Sequence, residues 1–133
     1  MSADSRFFDT NILLYARSDD DVKLMKSEQI LRDGGVVSVQ VLNEFANVSR
    51  RKWRRDWLEI RAALIAFRAS LRVEPVTIET HERGLALAER YGFAVYDAMI
   101  VAAAERAGCK VPYSEDMQDG MVIGGLTLRN PYK

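Results

Sequence analysis

Short apolar runs alternate with longer segments of helical periodicity along the chain. The runs at 6–8, 36–39 and 111–113 are three or four residues long, which is typical of buried strands. The longer segments repeat their apolar positions every three or four residues, and several of them end at glycine, as helices often do. This alternation predicts an α/β fold of three layers, with helices on both faces of a central, mostly parallel sheet of four to five strands.

The same pattern predicts where the individual elements lie. In the segment 22–35, Val22, Met25 and Ile30 indicate an amphipathic helix, and Asp56 is placed to cap the helix that follows it. Residues 72–77 are predicted as a short strand or extended link, and 125–131 as a last short strand. The predicted helices cover 10–18, 22–35, 40–53, 56–71, 78–92 and 93–108. No internal repeat or linker interrupts them, so 1–133 is interpreted as one domain.

Acidic residues follow the ends of the predicted strands. Asp9 comes directly after the first strand, Asp116 follows the strand at 111–113, and Glu44 lies about one turn into the helix after 36–39. Ligands bind outside the carboxyl ends of strands in open parallel sheets, so we expect these side chains at one edge. Asp97 opens the helix 93–108, where it serves either as a cap or as a ligand.

Carboxylates gathered at one edge repel one another unless a cation joins them. Oxygen ligands without histidine or cysteine favour Mg²⁺ or Mn²⁺, as one ion or as a pair. Such an ion activates a bound water and offsets the charge that develops on a phosphodiester. For each acid alone a structural role remains open: a turn or cap for Asp9, solvent exposure for Glu44, and an ordinary loop acid for Asp116.

Composition narrows the chemistry further. The formal net charge is zero, so attraction of the whole molecule to a polyanion is not supported. His81 is the only histidine and is interpreted as a solvated helix residue, which disfavours sites built from several imidazoles. Cys109 is the only cysteine, which excludes an internal disulfide and fits a reducing compartment. No run is long enough to span a membrane, and we expect a cytoplasmic protein.

Four stretches resemble those of PIN domains, specifically the VapC-type toxin ribonucleases of bacterial toxin–antitoxin pairs. They are FDTNILLYA near the start, SVQVLNEF, YGFAVYDAMIVAAA, and YSED near the end, in the order of the family. The resemblance extends from about Phe7 to Leu128. It implies a PIN-like fold and a metal-dependent endoribonuclease that cleaves RNA, is neutralised by a cognate antitoxin and forms a homodimer.

The resemblance also implies roles for particular residues. It assigns Mg²⁺ or Mn²⁺ binding and water activation to the acids of the four motifs, which are Asp9, Glu44, Asp97 and Asp116. Asn11 and Ser114 match positions that support the first and last acids by hydrogen bonds. Asp119 matches a position that adds a further metal ligand in some members. Glu115 is expected to point away from the site, into solvent.

The basic segment 50–55 interrupts an otherwise balanced chain. Its cations could hold phosphates, or they could be a solvated helix end whose charges suit the helix dipole. Trp53 and Trp57 are interpreted as partly buried in a helix hairpin. Arg51 continues the polar stripe of Gln40 and Glu44, so it is the candidate for contact with substrate or antitoxin.

Two other functions compete with the nuclease. One is a catalytically inert PIN-like domain that only binds RNA or protein. The other is a receiver-like phosphoacceptor module, which also places acids at the carboxyl edge of a parallel sheet. The receiver alternative needs an acidic pair after the first strand and a lysine after a late strand, whereas Asp9 has no acidic neighbour and Lys110 precedes its strand.

Overall fold

The computed structural model describes residues 5–133. Helices and strands alternate along this part of the chain. In order, the elements are β1 (Arg6–Phe8), α1 (Thr10–Tyr15), α2 (Asp21–Leu31), β2 (Val36–Ser38), α3 (Val39–Arg51), α4 (Trp57–Ser70), β3 (Arg72–Glu74), α5 (Ile78–Tyr91), α6 (Val95–Arg106), β4 (Val111–Tyr113), β5 (Val122–Ile123) and β6 (Leu126–Thr127).

Four parallel strands form the central sheet in the order β3-β2-β1-β4. The chain moves outward from β1 through β2 to β3, and it returns on the other side of β1 as β4. In the β1–β4 pair, Phe8 lies opposite Tyr113, so the two strands end level with each other. The order of strands reverses here, and ligands of open parallel sheets bind at such a point.

Both faces of the sheet are covered. Phe7 and Phe8 are adjacent on β1, and Val36 and Val37 are adjacent on β2; all four are fully buried. Neighbouring residues of a strand point to opposite faces, so burial of both requires a layer on each side. Helix α6 contacts β2 and β4, and α3 contacts β2. The predicted three-layer α/β arrangement is confirmed.

Several predicted helix ends are confirmed by specific contacts. The carboxylate of Asp56 accepts a hydrogen bond from the backbone N–H of Glu59 and caps α4. Helix α5 ends at Gly92, which adopts the left-handed conformation that glycine tolerates best (φ 74°). The first helix is shorter than predicted: α1 ends at Tyr15, whereas the predicted helix extends to Ser18.

The apolar face predicted for the helix 22–35 is wrong. Val22 and Met25 are 79% and 61% exposed, whereas Ser27 is fully buried and Ile30 is partly buried. Helix α2 packs against α1, and the hydroxyl of Ser27 forms a hydrogen bond with that of Tyr132. The buried face of α2 is therefore the one that carries the polar contact of Ser27, and not the face of Val22 and Met25 that the apolar spacing predicted.

The C-terminal segment also differs from the prediction. Only Leu126–Thr127 of the predicted strand 125–131 is a strand, and it pairs antiparallel with β5, which the pattern missed. Strands of two residues are too short to show alternation. Arg129 is joined to Tyr113 of β4 by a single parallel bridge, which is too short to count as a fifth strand. The central sheet therefore has four strands. Within residues 5–133, no helix combines the length and apolar character needed to cross a membrane.

Candidate metal centre

Asp9 lies where β1 ends and α1 begins. It is 5% exposed, and its carboxylate accepts hydrogen bonds from the backbone N–H of Thr10 (2.6 Å) and from Oγ of Ser114 (2.7 Å). Burial raises the pKa of Asp9 from its ordinary 3.8 to about 6, and the negative charges of Glu44 and Asp97 act in the same direction. The cap that the sequence left open as an alternative is present, but the hydrogen bonds to Asp9 lower its pKa by less than burial raises it.

Asp97 lies in the first turn of α6. The N-cap of this helix is Ala94, and no side chain caps it, so the alternative in which Asp97 serves as a cap is wrong. The carboxylate is partly buried. Burial raises its pKa, and so do the charges of Asp116 and Glu44.

Asp116 lies on the loop that follows β4. Its backbone N–H donates to Oγ of Ser114 (3.2 Å), and its Oδ2 accepts from Nδ2 of Asn11 (3.4 Å). The hydroxyl of Ser114 thus accepts from Asp116 while it donates to Asp9, and it ties the ends of β1 and β4 together. The Oδ1 atom of Asn11 is buried and has no hydrogen-bond partner among the described residues.

Carboxylate oxygens of Asp9, Asp97 and Asp116 all lie within 4.8 Å of one another, around a cleft of about 200 Å³. Within residues 5–133, no lysine or arginine forms an ion pair with any of the three. Hard oxygen donors at this spacing suit Mg²⁺ or Mn²⁺, which bind through few carboxylates and keep several waters. Burial is the main cause of the raised pKa values of Asp9 and Asp97, and the neighbouring carboxylates raise them further.

Glu44 lines the same cleft but stands apart from the three clustered acids. Its Oε2 accepts from Oγ1 of Thr10 (2.9 Å), and its Oε1 accepts from Nε2 of Gln40 (3.1 Å). Sequence reasoning missed Thr10, whose backbone and side chain contact two of the predicted acids. Its position directly after Asp9, in the first turn of α1, was the signal that could have revealed it.

The structure brings neither Asp119 nor Glu115 into the cleft. Asp119 is exposed, and its Oδ1 accepts from the backbone N–H of Asn130 (2.9 Å). Glu115 points to Nζ of Lys23 (3.0 Å) and is partly buried, so the expected solvent exposure is wrong. Lys23 also donates to the hydroxyl of Tyr15 (3.1 Å), which links α1, α2 and the loop of Asp116.

Two arginines of the basic segment 50–55 contact aromatic rings close to them in the chain. The guanidinium of Arg50 lies over the ring of Trp57 (5.2 Å), and that of Arg55 lies over Trp53 (5.2 Å). Trp53 is partly buried as predicted, but Trp57 is 53% exposed, so its expected burial is wrong. Arg51 is exposed in the last turn of α3.

The chain matches a family model in sequence and several solved structures in fold. The family model described as PIN domain matches residues 6–118. A toxin–antitoxin complex from Klebsiella pneumoniae is similar, with a TM-score of 0.75 and 23% identity over 97% of this chain and 99% of that chain. The comparison with curated proteins gave no match.

Two further solved structures share the fold. VapC20 from Mycobacterium tuberculosis, described as a sarcin-ricin loop cleaving toxin, has a TM-score of 0.67 and 21% identity over 81% of this chain and 87% of that chain. VapBC2 from Rickettsia felis, bound to a DNA fragment from their promoter, has a TM-score of 0.67 and 20% identity over 94% of this chain and 97% of that chain. These two likenesses concern the fold, and the family match over residues 6–118 establishes that the chain belongs to the PIN domain family.

Proposed function

We propose that this protein is a metal-dependent endoribonuclease toxin that a cognate antitoxin neutralises. The observation that carries the proposal is the cluster of Asp9, Asp97 and Asp116, whose carboxylate oxygens lie within 4.8 Å of one another. Its location agrees with the fold, because Asp9 and Asp116 follow the two strands between which the strand order reverses. Membership of the PIN family makes hydrolysis of a phosphodiester the matching reaction.

The proposed site holds Mg²⁺ or Mn²⁺, as one ion or a pair, between Asp9, Asp97 and Asp116, with Glu44 beside them. An ion bound there lowers the pKa of its water and offsets the charge that develops on the phosphate. Ser114 keeps one oxygen of Asp9 fixed, and Asn11 does the same for Asp116. These hydrogen bonds orient the ligands in advance, as partners of metal-binding groups do elsewhere.

Glu44 is proposed as the acid that orients or deprotonates the attacking water. Thr10 and Gln40 each donate to one of its oxygens, which holds the carboxylate in place on the cleft wall. A hydrogen-bonded carboxylate in this position accepts a proton from water without being a ligand itself.

RNA is the proposed substrate and an antitoxin the proposed partner. The antitoxin is supported by the similar folds, which include a toxin–antitoxin complex and VapBC2. Exposed Arg51, three turns along α3 from Gln40, is proposed to contact the RNA backbone or the antitoxin. A homodimer and a cytoplasmic location complete the proposal.

The test replaces one acid without changing its shape. Asp97→Asn is expected to abolish Mn²⁺-dependent RNA cleavage and to relieve growth arrest on expression, while circular dichroism and the unfolding midpoint show a folded protein. Asp33→Asn, which neutralises an exposed acid after α2, serves as the matched control and should leave cleavage intact. Full cleavage by the Asp97 variant would refute the assignment.

A catalytically inert PIN domain is separated from the nuclease by metal titration. A site that exists only in the folded state gains stability as free Mn²⁺ rises past its dissociation constant, by about 2.7 kcal/mol at a hundredfold excess. An inert domain without a site would not respond. The family match argues against the receiver-like module, whose acidic pair this chain also lacks.

A further inference from the structure

A second cleft of about 610 Å³ opens beside the acidic cleft. Glu44 and Tyr96 line both, so the two are continuous along the N-terminal end of α6. The second cleft contains none of the three clustered carboxylates. It is therefore a separate chemical environment within reach of a molecule bound at the acids.

Tyr96 stands at the junction of the two clefts with its ring open to solvent. The side chain is 70% exposed, and within residues 5–133 its ring makes no stacking or cation contact. Tyr96 directly precedes Asp97, whose carboxylate belongs to the acidic cluster. An unoccupied aromatic face at this point offers a stacking surface to a planar group.

Amide side chains and two valines also line the second cleft. Asn43 and Asn47 are one turn apart on α3, both are exposed, and neither side chain has a hydrogen-bond partner among the described residues. Val39 and Val76 line the same cleft and are 41% and 44% exposed. Gln40 is different, because its amide is already bonded to Glu44.

We propose that this second cleft is a nucleobase subsite, which rests on the proposed nuclease function. One unpaired base next to the phosphate at the acidic cluster stacks on Tyr96, and the amides of Asn43 and Asn47 bond to its edge. Asparagine offers both a donor and an acceptor, which suits the polar edge of a base, and single-stranded RNA presents such edges unpaired. The subsite favours single-stranded or looped RNA over a duplex, whose bases are stacked inside.

The first test measures binding. Fluorescence anisotropy is measured with single-stranded oligo(A), oligo(C) and oligo(U) of about 12 nucleotides, a length within the range of single-strand sites. Every protein carries Asp97→Asn so that the RNA stays intact. Tyr96→Ala should weaken binding about tenfold, the magnitude of one base–aromatic stack, while Tyr96→Phe keeps it within about twofold. Unchanged binding by the alanine variant overturns the proposal.

The second test identifies the base. Removing one base at a time from a bound strand should weaken binding at one position, and Tyr96→Ala should abolish that penalty at the same position. Trp57→Ala, which removes the other aromatic ring exposed by more than half, is the control and should leave the penalty intact. The subsite does not exist if removing that base weakens binding to Tyr96→Ala as much as to its parent. It also does not exist if removing no base weakens binding to the parent.

The third test addresses the amides. The double variant Asn43→Ala/Asn47→Ala should reduce the differences in affinity among the three oligonucleotides, because it removes the groups that read the base edge. If the double variant shows the same differences in affinity among the three oligonucleotides as its parent, Asn43 and Asn47 do not recognise the base. Both positions are exposed on a helix, so alanine should preserve the fold.

Failure of the subsite and failure of the nuclease are distinguishable. If the unmodified protein cleaves no RNA with Mn²⁺ present, the proposed function fails. If it cleaves RNA but Tyr96→Ala binds and cleaves as well as the parent, only the subsite fails. Sedimentation of Tyr96→Ala should give an unchanged mass; a changed mass would mean that a second copy covers this face, and that result also overturns the proposal.

Discussion

Replacing Asp9 with asparagine should stabilise the metal-free protein at neutral pH. Asp9 is buried, and burial raises its pKa from 3.8 to about 6, so its charge opposes folding. Asparagine has the same shape and no charge. Its oxygen can still accept from the N–H of Thr10, and the hydroxyl of Ser114 can turn to accept from the new amide.

The size and sign of the effect follow from proton binding. A rise in pKa from 3.8 to about 6 corresponds to about 3 kcal/mol. Well below pH 3.8 the carboxyl of Asp9 is protonated in both the folded and the unfolded protein, so its raised pKa does not reduce the free energy of unfolding. Between about pH 4 and 6 the unfolded chain releases the proton while the folded protein keeps it, and stability falls. The gain in free energy of unfolding of Asp9→Asn over the parent protein should therefore be about 2 to 3 kcal/mol larger at pH 7.5 than at pH 4.

Urea unfolding at the two pH values, with a chelator present, measures this difference. Asp33→Asn, at an exposed position, should show no comparable dependence on pH. Saturating Mn²⁺ should remove most of the advantage at pH 7.5, because the parent binds the ion and the variant has lost a ligand. An advantage of equal size at both pH values would refute the reasoning, since burial of the charge would then not be its cause.

Three further changes test other parts of the site and its support. Thr10→Val removes the hydroxyl that donates to Glu44 and should slow RNA cleavage about tenfold without unfolding the protein. Lys23→Met breaks the ion pair that holds the loop after β4 and should weaken Mn²⁺ binding about two- to fivefold, as measured by calorimetry. Gly84→Ala should lower the free energy of unfolding by no more than about 1 kcal/mol, because a Cβ there would overlap only the flexible end of the Met99 side chain and alanine favours the helix.

Each of these changes has a control within the chain. Thr10→Ser keeps the hydroxyl and should cleave at nearly the parent rate. Arg83→Met breaks the ion pair with Glu105 on α6, away from the cleft, and should not affect Mn²⁺ binding. Met99→Ala should relieve part of the cost of Gly84→Ala. If Arg83→Met weakened Mn²⁺ binding as much as Lys23→Met, the loop after β4 would have no special role.

The arrangement of the acids was predictable because parallel strands end at a common edge. Asp9 and Asp116 each follow a strand, and the β1–β4 pairing brings those strands side by side. The parts that escaped prediction depend on contacts between distant segments. Apolar spacing does not reveal that Ser27 is buried against Tyr132, 105 positions away. Nor does it show that the C-terminal segment forms a separate two-stranded hairpin.

The site shows the same division between local and long-range information. The motif around Asp9 gave the acid, but the contact of Thr10 with Glu44 spans 34 positions and requires the packing of α1 on α3. The capping alternative for Asp97 failed because α6 begins at Val95 with Ala94 as its N-cap, which places Asp97 inside the first turn. Helix ends are set by local chain geometry that composition does not specify.

The burial of Asp9 links metal binding to proton release. In the metal-free protein Asp9 keeps a proton up to about pH 6, and the pKa of Asp97 is raised as well. A divalent cation binds carboxylates in their ionised form, so it must displace whatever protons they hold. The same charges that lower stability without a cation therefore strengthen the attraction for one. We therefore expect the affinity of the proposed metal site for its ion to decline as the pH falls below about 6.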